Sequence, residues 1–103
     1  MSVLYGFSGM DLERARELVE GGLKVPLAAH ESYYRGGDYY RFNGDDVTLI
    51  LQENYDCIGD CLEEPDFPRF NVLMYLEGKR FPELERLVAE RVSEAVLLRR
   101  ASG

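Results

Sequence analysis

The chain has 103 residues, of which 46% are hydrophobic and 12% aromatic, and its 12 basic and 19 acidic side chains give a net charge of −7. This length predicts a single domain, 1–103, and the hydrophobic content excludes intrinsic disorder. No apolar run approaches the roughly 18 residues of a membrane helix. The negative charge disfavours nucleic acid as a primary partner, because phosphates would be repelled. The first residues lack the pattern of an export signal, so a cytoplasmic location with reduced cysteines is expected.

The sequence begins with a predicted strand and helix. SVLYGF, from Ser2 to Phe7, is a short apolar strand. Ser8 or Asp11 can cap a helix that runs to about Glu20, where Gly21-Gly22 is expected to end it. Its apolar face is formed by Leu12, Ala15, Leu18 and Val19, which recur at helical spacing.

Three strands are predicted next, in VPLAAHESYY, DYYRF and VTLILQ, with turns at RGGD and NGDD. Asn43-Gly44 is a strong hairpin signal, because a type I′ turn requires positive φ at both central residues. The pattern therefore predicts an antiparallel meander.

The remaining elements are a strand, a helix and a last strand. NVLMYL is a continuous apolar run, as expected for a strand that is buried on both faces. Pro82 suits the first turn of a second helix, and EAVLLRR is the final strand. The order β-α-β-β-β-β-α-β predicts an α+β two-layer sandwich, with both helices on one face of a mostly antiparallel sheet. The other face, rich in tyrosine, is expected to be partly open.

The negative charge is concentrated in one segment. Between Phe42 and Pro68 there are eight acidic residues and no Lys or Arg, while the rest of the chain sums to +1. The eight are Asp45, Asp46, Glu53, Asp56, Asp60, Glu63, Glu64 and Asp66. From Glu53 to Arg69 the segment shows no clear periodicity, and connections longer than roughly 12–15 residues in compact domains are usually functional or disordered. Its apolar and proline residues favour order.

Metal and redox motifs in this segment fail at decisive positions. A calcium loop starting at Asn54 would place Ile58 at its fifth position and Pro65 at its twelfth, where a bidentate Glu is needed. Cys57 and Cys61 are spaced C-x-x-x-C, without a second Cys/His pair to complete a zinc site. We expect two semi-buried thiols, with a regulatory disulfide as the alternative. No metal and no cofactor is predicted.

Catalytic residues are scarce. His30 is the single histidine, and Ser8 lacks the G-x-S-x-G context of a hydrolase nucleophile. The glycines near residues 36 and 44 lack a phosphate-binding pattern. No catalytic residue is therefore predicted, and the chain is not expected to be an enzyme.

Aromatic residues accompany the acidic segment. Five of the seven tyrosines lie between residues 33 and 55. An exposed tyrosine ringed by carboxylates suits a protein interface, because it combines an apolar ring with a polar tip. The predicted partner-binding surface comprises Tyr33, Tyr40, Asp45, Asp46, Glu53, Tyr55, Asp56, Asp60, Glu63, Glu64 and Asp66.

In size, acidity and strand order the chain resembles the small cytosolic immunity proteins of bacterial polymorphic and contact-dependent toxin systems. The resemblance rests on no specific motif, and it implies a basic toxin partner, such as a nuclease, and no enzymatic activity. Two alternatives stay open. One is a small enzyme or ligand-binding domain that uses His30 and Glu31 at the open sheet face, and the other is a homo-oligomeric structural module, such as a homodimer.

Overall fold

The computed structural model describes residues 1–32, 37–56 and 59–101. Two helices and eight strands occur in these ranges, and the predicted order of strands and helices is confirmed, with a short additional pair of strands, β5 and β6. The elements are β1 (Ser2–Phe7), α1 (Leu12–Leu23), β2 (Ala28–Ser32), β3 (Gly37–Asn43), β4 (Val47–Glu53), β5 (Tyr55–Asp56), β6 (Cys61–Leu62), β7 (Val72–Gly78), α2 (Pro82–Arg91) and β8 (Val96–Ala101). No helix among the described residues is long and apolar enough to cross a membrane.

Six strands form one sheet in the order β2-β3-β4-β7-β1-β8, and each neighbouring pair is antiparallel. The short strands β5 and β6 form a separate hairpin inside the connection from β4 to β7. The α+β class and the antiparallel sheet agree with the sequence prediction. The core lies between one face of the sheet and the two helices, and its fully buried members include Phe7, Leu49 and Met74.

Helix α1 begins as predicted but ends later. Asp11 is the N-cap, and its carboxylate oxygen Oδ1 accepts from the backbone N–H of Arg14 at 2.8 Å. The helix continues through Gly22 to the buried Leu23 and ends at Lys24, which is left-handed with φ 59°. A Cβ on Gly22 would lie 2.7 Å from Cγ2 of Val92. Gly22 therefore allows the close approach of α2 rather than stopping α1.

The hairpin between β3 and β4 forms, but its turn differs from the predicted type I′. Neither Asn43 nor Gly44 has positive φ. The backbone N–H of Gly44 donates to the carbonyl of Val47 at 2.8 Å, so the turn is centred later in the chain, at Asp45-Asp46. This turn rests on the end of β7, where a Cβ on Gly78 would lie 2.0 Å from the Asp46 carbonyl oxygen.

The second face of the sheet is partly covered by the connection between β4 and β7. Phe70 packs over Gly6, where an added Cβ would meet its ring at 2.6 Å. Tyr75 is half-buried beneath the connection, and Tyr39 is only 9% exposed. The expected tyrosine-rich face is therefore less open than predicted, because the long connection folds back across it.

Candidate functional site

The predicted acidic residues lie at two separate ends of the sheet. Asp45 and Asp46 are exposed in the turn that precedes β4, whereas Glu53 is exposed at the far end of that strand. Six residue steps along a strand span about 20 Å. The remaining acidic residues of the segment follow Glu53 in the connection, so the structure separates two of the eight from the other six.

A cleft opens at the Glu53 end, between the start of α1 and strands β2 to β4. Its volume is about 670 Å³. It is lined by Asp11, Leu12, Glu13, Ala29, His30, Asp38, Tyr39, Tyr40 and Glu53. Among these nine described residues four are carboxylates and none is Lys or Arg, so this part of the lining is negatively charged, and low-dielectric walls would focus its field.

Tyr40 and Glu13 form the hydrogen-bonded wall of the cleft. The Tyr40 hydroxyl donates to a carboxylate oxygen of Glu13, and Arg16 donates to the other oxygen at 3.1 and 3.2 Å. The Arg16 guanidinium also lies 5.2 Å from the centre of the Tyr40 ring. The hydrogen bond from Tyr40 is the main cause that lowers the pKa of Glu13, and the same bond raises the pKa of Tyr40.

Asp38 and Glu53 provide the unpaired charge of the cleft. The register Tyr39↔Gln52 places Asp38 beside Glu53 at the next position of the two strands. Both are exposed, and within the described residues neither side chain makes a hydrogen bond or an ion pair. Like charges at adjacent cross-strand positions are destabilising. The fold therefore gains nothing from this pair, and a cationic group from outside would relieve the repulsion.

His30 is among the lining residues of the cleft, but its ring lies on the other face of the sheet from Tyr40, because successive strand residues alternate between the two faces. Its ring stacks on Tyr39, with centroids 5.3 Å apart and planes inclined by 17°. The backbone of Glu31 pairs with Asp38 in the sheet. No hydrogen bond between His30 and a nucleophile or carboxylate is present among the described residues. The described geometry thus supplies a stacking surface and no general base with an orienting partner.

Asn54 holds the connection that follows the cleft. The residue is 1% exposed, and its amide nitrogen donates to the carbonyls of Phe67 and Phe70 at 3.0 and 2.8 Å. Its Oδ1 accepts from the N–H of Glu64 at 2.8 Å, and its backbone bonds Glu63 and Asn71. Five hydrogen bonds therefore converge on one buried residue. The sequence pattern indicated Asn54 only as the first position of a calcium loop that does not match. It did not predict that Asn54 holds the connection by buried hydrogen bonds.

The carboxylate of Glu64 is hydrogen-bonded within the fold. Its carboxylate accepts two hydrogen bonds from Arg99, at 2.7 and 3.2 Å, and one from the hydroxyl of Tyr75 at 3.1 Å. The side chain of Glu64 is 16% exposed. Burial raises the pKa of Tyr75, and the negative charge of Glu64 raises it further. Glu64 thus holds the connection against β7 and β8, and its role in partner binding stays a prediction.

The β5–β6 hairpin presents the other predicted residues. Tyr55 is 48% exposed, and its hydroxyl donates to Asp60, which has a left-handed φ of 52°. Asp56 accepts from the N–H of Gly59 at 3.0 Å. Cys61 is an exposed free thiol in β6, not the semi-buried residue expected.

The predicted site residues therefore fall into distinct groups. Tyr40 and Glu53 line the cleft, and Tyr55, Asp56 and Asp60 shape the adjoining hairpin. Glu63 is half-buried and Asp66 exposed in the connection, and Asp45 and Asp46 lie at the other end of β4. Tyr33 and Cys57 are outside the described residues. The sequence prediction missed Asp11, Glu13 and Asp38, which come from α1 and β3.

Metal binding receives no support from the described residues, among which no group of three or more His, Cys, Asp or Glu could hold an ion.

Comparison of the chain with protein-family models, with curated proteins and with solved structures found no match. The functional interpretation therefore depends on the geometry and charge of this end of the sheet.

Proposed function

We propose that the chain is a protein-binding inhibitor of the immunity-protein kind, which acts in the cytoplasm and neutralises a basic toxin domain. The observation that carries this proposal is the cleft, where Asp38 and Glu53 lie side by side with no cation from residues 1–32, 37–56 or 59–101 paired to them, and where Tyr40 adds an aromatic wall. Both carboxylates are exposed, so a partner's Lys or Arg can reach them.

Charge mimicry supplies the mechanism. A nuclease site is positively charged because it accepts phosphates, and an acidic surface can occupy it in their place. Long-range attraction raises association rates by roughly 10–10³ between proteins of opposite charge, as in the pair of barnase and barstar. The cleft and the adjoining hairpin would form the contact, with Tyr55 as an apolar anchor at its rim.

Glu64 and the turn at Asp45-Asp46 have different parts in this proposal. Glu64 is paired with Arg99 and stabilises the connection, so we do not assign it to the contact surface. Asp45 and Asp46 lie about 20 Å from Glu53 by strand length. They would add to the attraction at long range and would not touch a partner seated in the cleft.

The experiment compares two variants with the same change in net charge. A basic protein captured from the native host at low salt would be tested against Asp38→Asn/Glu53→Gln and, as the matched control, Asp45→Asn/Asp46→Asn. We expect the cleft variant to lose about 2 kcal/mol or more of binding free energy, since broken charge pairs at interfaces cost 2–5 kcal/mol. The control should slow association slightly and leave dissociation unchanged. Equal losses in both variants would exclude the cleft as the contact.

A second candidate function is the binding of a small cationic ligand. The cleft volume of about 670 Å³ lies in the usual range of ligand pockets, and the Tyr40 ring offers it an aromatic wall. Tyr40→Ala separates the two functions, because it removes the aromatic wall and leaves the carboxylates of Asp38 and Glu53. A small ligand would bind more weakly to this variant, whereas the salt dependence of association with a basic protein would stay the same.

A further inference from the structure

Strand β8 combines an edge position with exposed apolar side chains. It pairs with β1 on one side, and within the described residues no strand pairs with its other side. Val96 and Leu97 are 45% and 49% exposed, and with Tyr55 they are the large hydrophobic side chains most open to solvent in the described chain. Two adjacent exposed apolar residues on a sheet edge favour pairing with another strand.

The two arginines of β8 do not protect its free edge from pairing with another strand. Arg99 bonds Glu64 on the connection side of the sheet, and Arg100 forms an ion pair with Glu85 of α2 on the helix side. Natural edge strands are protected by charges that project along the edge, and both charges here are turned to the two faces. A bulge adds Leu98 between the pairs Leu4↔Arg99 and Tyr5↔Leu97. Its side chain is turned inwards, over Gly6.

We propose that β8 pairs antiparallel with β8 of a second copy of this chain, which joins the two sheets across a two-fold axis near Leu97. Leu97 then faces its counterpart, and Val96 lies beside Leu98 of the second copy. Glu94 is exposed in the turn just before β8, and continuing the same register past the start of the strand brings it near Arg100, or near Arg99 if the bulge shifts the pairing by one residue.

Charge complementarity is the reason for choosing a second copy in the antiparallel orientation. The stretch from Glu94 to Ala101 has its acidic residue at the start and its two arginines at the end. Antiparallel pairing brings opposite charges together at both ends, and parallel pairing would oppose Arg to Arg. This stretch carries a net charge of +1, so the chain's excess of negative charge lies outside the proposed contact. The cleft lies beside β2, β3 and β4, towards the opposite edge of the sheet from β8, so it stays accessible in the dimer.

The first test measures mass against concentration by sedimentation velocity. The unmodified chain should shift from monomer to dimer, and Leu97→Lys should remain a monomer because it places like charges at the two-fold axis. Glu94→Lys should raise the dimer dissociation constant by about tenfold or more. Glu77→Lys, the same charge change on β7, should leave it unchanged. An unmodified chain that stays monomeric at its highest soluble concentration would overturn the proposal.

A cross-linking test fixes the geometry. In a chain with both native cysteines replaced by Ser, Leu97→Cys should form a disulfide between copies on mild oxidation, because residues facing across the axis have Cβ atoms close enough for a bridge. Lys79→Cys is the control and should not cross-link. A dimer that persists in Leu97→Lys, or a Leu97→Cys chain that does not cross-link, would place the interface elsewhere. Binding of a basic partner is measured separately with Leu97→Lys, which should retain it.

Discussion

The connection between β4 and β7 and the cleft beside α1 are both acidic and lie at the same end of the sheet. They differ in whether their polar side chains are hydrogen-bonded within the fold. In the connection, Asn54 is buried with five hydrogen bonds, and Glu64 is paired with Arg99 and Tyr75. In the cleft, Asp38 and Glu53 are exposed and unpaired among the described residues.

One run of acidic residues thus contains two kinds of carboxylate. A buried polar group must be satisfied, because leaving it unpaired costs about 1–3 kcal/mol, so it becomes part of the fold. An exposed carboxylate contributes little to stability and remains available for binding. Glu64 belongs to the first kind and Glu53 to the second, although they are only eleven positions apart in one segment that contains no Lys or Arg.

The greatest loss of stability is expected for Asn54→Ala. The substitution removes three side-chain hydrogen bonds and leaves the carbonyls of Phe67 and Phe70 and the N–H of Glu64 without their partner. We expect a loss of about 3 kcal/mol in the free energy of unfolding, measured by urea denaturation. Asn43→Ala is the control, because Asn43 is exposed and bonds only Arg41 and Thr48 among the described side chains. Similar losses in both variants would show that the connection does not depend on Asn54.

A smaller loss is expected for Glu64→Gln. The amide keeps the shape of the side chain but removes the charge that Arg99 and Tyr75 contact. Because Arg99 is 49% exposed and partly screened by solvent, we expect about 1 kcal/mol rather than the larger cost of a fully buried pair. Glu53→Gln makes the same chemical change in the cleft and should leave stability unchanged or slightly raised, since it relieves the repulsion with Asp38. A larger loss for Glu53→Gln than for Glu64→Gln would reverse the assignment of the two carboxylates.

Most of the fold was predictable because apolar periodicity dictates it. The main strands and both helices follow from residues whose side chains recur at periods of 2 and 3.6, and the core confirms them. The predicted end of α1 was wrong, since Gly22 serves a contact with Val92 that lies 70 positions away in the sequence. Local sequence cannot distinguish a glycine that stops a helix from one that admits a neighbouring helix.

The cleft was only partly predictable, because it depends on strand register. A type I′ turn centred on Asn43-Gly44 would have paired Asp38 with Leu49, whereas Leu49 pairs with Phe42. The true register brings Asp38 beside Glu53 instead. The displacement is an even number of residues, so the buried face was assigned correctly while the pair of carboxylates was missed. The role of Asn54 could not be predicted either, because its side chain bonds the backbone carbonyls of Phe67 and Phe70. Every residue has such a carbonyl, so the sequence does not identify these partners.

The last and smallest effects concern the titration of Tyr75 and Tyr40. Burial is the first cause that raises the pKa of Tyr75, and the hydrogen bond to Glu13 is the first cause for Tyr40. Glu13→Gln should therefore return the pKa of Tyr40 close to that of an exposed tyrosine, and Glu64→Gln should lower that of Tyr75 only in part. Phenolate absorbance during an alkaline titration measures both, with Tyr40→Phe and Tyr75→Phe to assign the signals.

The raised pKa of Tyr75 also has a consequence for stability. This pKa is higher in the folded chain than in the unfolded chain, so its contribution is fully present below about pH 10 and is lost as the pH rises above that value. Tyr75→Phe should reduce the alkaline loss of unfolding free energy while leaving the pH dependence near neutrality unchanged. If Glu64→Gln abolished the raised pKa of Tyr75 as fully as Glu13→Gln does for Tyr40, burial beneath the connection would not be its cause. The connection would then resemble the cleft, where neighbouring charge governs the aromatic hydroxyl.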